Sequence, residues 1–315
     1  ANHDLASQGL RILAVAFREV NQEKIDPSLE EDLVFIGLFA MLDPPRPEIK
    51  DAIAACKEAG IRTIMITGDH KDTAIAIAKE LGLMPPQGKA LDGQELEQIE
   101  DQQLPDLVEK VAVYARVSAS HKIKIVKAWR KNGEIVAVTG DGVNDAPAIK
   151  EADIGIAMGI TGTEVTKEAS DMIILDDNFA SIVTAVKEGR GIYDNIVKFI
   201  SYLLSSNIAE IFVIFFGMLI NFKDPEGNPF TPLLPVQILW INLITDGLPA
   251  IALGLDPIAP NILKKPPRDP KAPLLPFRLL VQLICISLVV TIATLFASNY
   301  GLRHSKLLGQ TMAFA

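Results

Sequence analysis

Two short loops carry the residue types best suited to chemistry. In "IMITGD", Thr67, Gly68 and Asp69 follow an apolar run, and in "VAVTGDGVNDAP", Thr139 through Asp145 follow another. Small residues let backbone N–H groups approach an anion, and a threonine hydroxyl adds a donor. Asp141 and Asp145 supply hard oxygens of the kind Mg²⁺ selects, with water and phosphate completing its octahedron. Lys122, in "SHKIKIVK", can neutralise a phosphoryl oxygen. Such parts suit phosphoryl transfer, in which positioning and charge stabilisation do nearly all the catalysis. "TGD" alone is as readily an ordinary turn, and a single lysine a solvated one. Three acceptor side chains crowded into "TGDGVND" are poorly explained that way.

A second set of residues lies where water is scarce. Asn207 and Glu210, in "SSNIAEI", are three apart and share a helical face; Asn242, Thr245 and Asp246, in "WINLITDGLPAIALG", share another. Both stretches are apolar enough to cross a bilayer, and an ionisable group at that depth is expensive enough to mark a pathway or a site. All five offer oxygen and two are carboxylates, the ligand set of a hard cation, calcium above all. Gly247 and Pro249 are expected to loosen the helix beside Asp246 and free backbone groups to line a cavity. The plainer alternative is interhelical hydrogen bonding, which explains a lone Asn or Thr better than two carboxylates.

The elements that must position these groups follow from patterning. The chain has 315 residues, 49% of them hydrophobic, and a mean hydropathy of +0.27, so membrane spans are expected. A net charge of −9 argues against nucleic acid as a partner. Cys56 and Cys285 are too few for a disulfide framework. Through about residue 195 short apolar runs alternate with amphipathic stretches closed by Gly60, Gly82 and Gly133, the pattern of a doubly wound parallel α/β sheet. From Asn178 to Ile220 there is no proline, and Asp177–Asn178 can cap one long helix there, with Gly189 and Gly191 its weak points. Spans are expected at about 198–220, 233–255 and 276–298, with a further helix near 307. Lys264, Lys265, Arg268 and Lys271 place the second connection, and with it residues 1–195, in the cytoplasm. The chain has no initiator Met and is expected to be a piece of a longer one.

The segments "MLDPPRPE", "MITGD", "ARVSASHKIKIV", "VTGDGVNDAPAIKEADIGIAMG" and "DDNFASIV" resemble the phosphorylation domain of P-type cation ATPases, a branch of the haloacid-dehalogenase-like fold. The resemblance covers essentially the whole chain. It implies the end of a nucleotide-binding domain over 1–40, a phosphorylation domain over 41–177, and stalk and membrane helices over 178–315. It implies that Asp141 binds Mg²⁺, with Asn144 and Asp145 in support, and that Thr67, Gly68 and Asp69 hold the phosphoryl group with Lys122. Arg11, in "GLRILA", matches a nucleotide-contacting arginine, and Arg116 assists. ATP is then the substrate. The family's phosphorylated aspartate lies in an Asp-Lys-Thr-Gly-Thr segment, which these residues do not contain, nor do they contain its Thr-Gly-Glu segment. The missing amino-terminal portion is therefore a required partner, and the lipid bilayer another.

The membrane segments resemble the fifth and sixth helices of sarcoplasmic-reticulum-type calcium pumps. Sodium–potassium pumps share the Asn-x-x-Glu pattern but carry Asp at the position of Asn242, and plasma-membrane-type calcium pumps lack a carboxylate matching Glu210. Calcium is the expected cargo, with manganese, which takes similar ligands, or sodium and potassium as alternatives. A non-catalytic membrane subunit is a further alternative, against which the intact "TGDGVNDAP" and both intramembrane carboxylates weigh. A compact bacterial pump of the plasma membrane is the expected setting.

Overall fold

The computed structural model describes residues 5, 10–19, 30–41 and 45–315. The chain divides into two compact units, Ala1–Ala185 and Val186–Ala315. In the first, β1 (Arg11–Phe17) and β2 (Val34–Met41) pair antiparallel as a two-stranded ribbon.

An α/β region follows. Its elements are α1 (Pro47–Glu58), β3 (Met65–Ile66), α2 (Lys71–Glu80), β4 (Lys89–Asp92), α3 (Gly93–Glu97), α4 (Leu104–Val108), β5 (Val111–Ala115) and α5 (Ala119–Lys131). After these come β6 (Ala137–Gly140), α6 (Ala146–Glu151), β7 (Ile154–Met158), α7 (Glu164–Ala169) and β8 (Met172–Ile174). Every strand pair in this region is parallel, as the alternating pattern requires, but the strands form two three-stranded sheets, β3-β5-β4 and β6-β7-β8, rather than one. The expected strands at 65–66 and 137–140 are short and each pairs on one side only, with β5 and β7 respectively. β4 escapes the sequence reading because "KALD" has neither apolar continuity nor alternation.

β5 is buried along its whole length, as a central parallel strand should be. Val111 and Tyr114 pack with Leu96, Leu104, Val108, Ile125 and Trp129. Ala112, Val113 and Ala115 pack on the other side against Ala74 and Ala78 of α2. The helices stop where the sequence lets the chain turn: Gly60, Gly82 and Gly133 all take positive φ.

α8 runs unbroken from Ala180 to Ile220, 41 residues and roughly 62 Å long at about 1.5 Å per residue. Asn178 accepts the Ala180 N–H and so caps it, while Asp176 takes the Ser181 hydroxyl. Asp177 is used differently. At φ +50° its carboxylate accepts the N–H groups of Ile160 (2.9 Å) and Thr161 (2.7 Å), and its carbonyl accepts from Arg46 Nη1 at 3.0 Å.

The second unit holds the rest of α8, then α9 (Pro235–Trp240), a π-helical segment (Ile241–Thr245), α10 (Gly247–Gly254), α11 (Phe277–Leu302) and α12 (Lys306–Phe314). Ala180–Ile220, Pro235–Gly254 and Phe277–Leu302 are each long and apolar enough to cross a membrane. α11 is fastened to α8 by hydroxyls: Ser287 donates to the Ser205 carbonyl at 2.7 Å and Thr291 to that of Ala209 at 3.3 Å. Gly191 permits a close approach, since a Cβ there would lie 2.5 Å from Ile258, whereas Gly189 has nothing within 4 Å. Arg190 donates to the carbonyls of Ile262, Leu263 and Lys265, so the 255–265 connection is tied to α8 by several bonds. On the opposite connection the Asp224 carboxylate accepts the N–H groups of Glu226 and Asn228 and the Lys306 ammonium.

Candidate phosphoryl and ion sites

The "TGD" and "TGDGVND" loops leave the carboxyl ends of parallel strands, the edge at which ligands bind in such sheets. Thr67 extends β3 by donating its N–H to the Tyr114 carbonyl at 2.9 Å. Its hydroxyl donates to Asp69 Oδ2 (2.9 Å) and accepts the Asp69 N–H (3.1 Å), which closes "TGD" into a tight turn. A Cβ on Gly68 would meet nothing within 4 Å among the described residues, so that peptide is open to an incoming group. The Asp69 carbonyl accepts the Arg116 N–H at 3.2 Å, with Arg116 held at φ +48° and its side chain exposed. Arg11 lies in β1, and its side chain falls outside the described residues.

"TGDGVND" is organised around Asp145, which is buried. One carboxylate oxygen pairs with the Lys122 ammonium; the other accepts the N–H groups of Gly142 (3.1 Å) and Asp141 (3.3 Å). Gly140 is required here because a Cβ would sit 2.5 Å from that of Asp145. Asp145 is therefore occupied as a loop organiser, while Asp141 and Asn144 are exposed, and among the described residues the Asp141 carboxylate has no side-chain partner. A spare hard oxygen on a fixed backbone fits Mg²⁺. Lys122 occupies the first turn of α5, and Arg116 and Val117 just before that helix bind the carbonyls of Asp69 and Thr67. The start of α5 thus gathers both loops.

In the membrane helices, Glu210 and Asp246 are 9% and 4% exposed. Asn242 Nδ2 donates to Glu210 Oε2 at 2.9 Å and to its own Ile238 carbonyl at 3.1 Å. The Tyr202 hydroxyl donates to Asp246 Oδ1 at 3.3 Å. Among the described residues, Glu210 Oε1 and Asp246 Oδ2 are buried without a partner. Two bare carboxylate oxygens in a low-dielectric setting are costly unless a cation takes them. Among the described residues no three His, Cys, Asp or Glu side chains converge, so such a cation would be held by two carboxylates and neutral oxygens.

The loosened backbone lies one turn earlier than Gly247 and Pro249 suggest. Residues 241–245 are π-helical, and Asp246 N–H reaches the Ile241 carbonyl at 2.8 Å. Pro249 is still the physical cause that can be named, since it has no N–H to offer the Thr245 carbonyl one turn back. The wider turn keeps Asn242 and Asp246 inward and leaves Thr245 exposed, so Thr245 does not join them in this chain. Asn207 is half-buried. Tyr202 was not among the expected residues. Its spacing of eight from Glu210, two helical turns on one face, is the signal that could have found it.

A haloacid-dehalogenase-like domain followed by membrane helices with buried carboxylates defines the class, and the comparisons agree. Residues 5–153 match the haloacid dehalogenase-like hydrolase family, and residues 230–315 match the family described as cation transporting ATPase, C-terminus. The chain belongs to the P-type cation-transporting ATPases. It is 53% identical to a calcium-transporting ATPase of Bacillus subtilis (strain 168), over 99% of this chain and 35% of that protein. It is 47% identical to calcium-transporting ATPase 1 of Lactococcus lactis, over 99% and 35%, and 44% identical to the human calcium-transporting ATPase type 2C member 1, over 96% and 31%. The chain spans about a third of the length of these relatives.

Proposed function

We propose that the whole protein moves calcium across a membrane at the expense of ATP, through an aspartyl phosphate formed on a residue outside this chain. The observation that carries the reading is the pair of buried, partnerless oxygens on Glu210 and Asp246, set on neighbouring helices that Asn242 joins. Calcium takes carboxylate, amide and carbonyl oxygens in flexible geometry, which suits a site built on an irregular turn. Asn207, half-buried on the same helix as Glu210, is proposed to add a further oxygen.

In the first unit, the turn that Thr67 and Asp69 close presents the open Gly68 peptide to the phosphoryl group. Lys122 would supply positive charge there, and Asp141, with Asn144 beside it, would hold Mg²⁺, which when bound neutralises phosphoryl oxygens. Arg11 and Arg116 are proposed to contact nucleotide. The three apolar helices and the relatives support a membrane protein. The bacterial plasma membrane, with residues 1–195 on the cytoplasmic side, is the setting we propose.

ATP-dependent uptake of radioactive calcium into vesicles holding the full-length protein tests this. Asp246→Ala is expected to abolish uptake, and uptake that persists unchanged in that variant would refute the site. Uptake of manganese or sodium in place of calcium would move the proposal to another cargo.

A further inference from the structure

The Asp141–Gly142 dipeptide has all four of its backbone polar groups bound. Its two N–H groups go to Asp145 Oδ2. Its two carbonyls are met from the other side, largely by α7. The Thr163 N–H donates to the Asp141 carbonyl at 3.0 Å, and the Thr166 hydroxyl donates to the Gly142 carbonyl at 3.0 Å, with the Asp141 carbonyl 3.4 Å away. Thr166 is fully buried, at 0% exposure.

The direction of these bonds follows from counting protons. Each hydroxyl has one hydrogen. Thr166 gives its hydrogen to Gly142, so in the 2.7 Å contact between the two threonine hydroxyls it is Thr163 that donates. Thr163 in turn accepts the Thr166 N–H at 3.3 Å as the cap of α7. Gly162 makes the approach possible, because a Cβ there would lie 1.9 Å from the Met158 carbonyl. A threonine used only to cap or fill α7 has no need to reach another loop's carbonyls, and a buried hydroxyl is retained where its bond is needed.

We propose that Thr166, oriented by Thr163, is a positioning residue for the metal-binding carboxylate of Asp141. With the backbone pinned on both edges, the Cα–Cβ bond of Asp141 has one direction, and its carboxylate is confined to the few rotamers that start from it. This rests on the reading of Asp141 as the Mg²⁺ ligand. Outer partners of this kind typically set metal affinity by about ten-fold or more.

Calorimetric titration of the purified protein in detergent with Mg²⁺ alone, calcium being chelated, tests both layers. Asp141→Asn is expected to abolish binding, Thr166→Val to weaken it about ten-fold, and Thr166→Ser to restore it to within about two-fold, with metal-free melting temperatures recorded for each. If Asp141→Asn binds as the parent does, or the parent binds no Mg²⁺, the reading of Asp141 falls and takes this inference with it. If Asp141→Asn abolishes binding while Thr166→Val leaves it unchanged, only the role of Thr166 is overturned. Should Thr166→Val fail to fold, Thr163→Ala, which removes the donor to Thr166 but keeps the backbone bond to Asp141, is expected to weaken Mg²⁺ binding. Unchanged affinity in that variant overturns the role equally.

Discussion

Asn242 reaches across from one membrane helix to place its amide 2.9 Å from Glu210 Oε2 on another. One neutral donor thereby holds a carboxylate in place without neutralising it, and leaves the second oxygen without a partner among the described residues.

Replacing Asn242 by Leu removes that donor. A hydrogen bond to a charged group contributes about 1.5–3 kcal/mol, so the calcium concentration for half-maximal ATP hydrolysis by the full-length protein is expected to rise at least about ten-fold. Asn242→Asp places a second negative charge against Glu210 and is expected to alter which cation stimulates hydrolysis.

Lys122 pairs with the buried Asp145 carboxylate of the "TGDGVND" loop. Lys122→Met is expected to lower phosphorylation of the full-length protein by about two orders of magnitude, the usual cost of removing a preorganised electrostatic contact. Lys122→Arg, which keeps the charge, should retain part of it. Acid-stable incorporation of labelled phosphate measures both.

Gly189 and Gly191 sit two residues apart in α8 and should respond oppositely to alanine. Gly189 faces open space, so alanine is expected to add about 0.5–1 kcal/mol through helix propensity. At Gly191 a methyl would meet Ile258 and is expected to cost about 1–3 kcal/mol. Thermal unfolding in detergent separates the two.

The Ile160 amide, and with it that of Thr161, holds the Asp177 carboxyl below its ordinary range. A carboxyl lowered on folding stabilises the protein above its unfolded value near 3.9 and loses that contribution as pH falls through the lower folded value. Asp177→Asn, which tolerates the same positive φ, should therefore flatten the acid limb of the stability curve below about pH 4. A variant whose acid limb matches the parent's would show that Asp177 does not contribute there.

Much of this was legible in the sequence because strong local signals agree with the fold. Capping residues, positive-φ glycines and proline-free apolar length placed α1, α2, α5, α8 and α11 within a few residues. The sequence also placed Asp141 and Asp145 in one neighbourhood, because "TGDGVND" packs its chemistry into seven positions; Lys122 entered separately, as a charge for a phosphoryl oxygen. What escaped was set by packing. Gly189 and Gly191 look alike in the string, and only the approach of Ile258 distinguishes them. Thr245 has a helical spacing that the π turn rotates away. Thr163 and Thr166 lie some twenty residues from the loop they hold, and no periodicity links them to it.

The wide turn at 241–245 amounts to one surplus residue threaded into an otherwise regular rod. Trimming a single residue from it would still yield a good apolar span of nearly the same length. The segments on either side would keep their facing, because the wide turn is what absorbs the extra residue, and the ladder would close into regular α-helix. Hydropathy would barely register such a shortening, yet the four residues that now fit between Ile241 and Asp246 would be three, and Asn242 and Thr245 could not both keep their places. In this stretch, side-chain placement depends on residue count as much as on residue type.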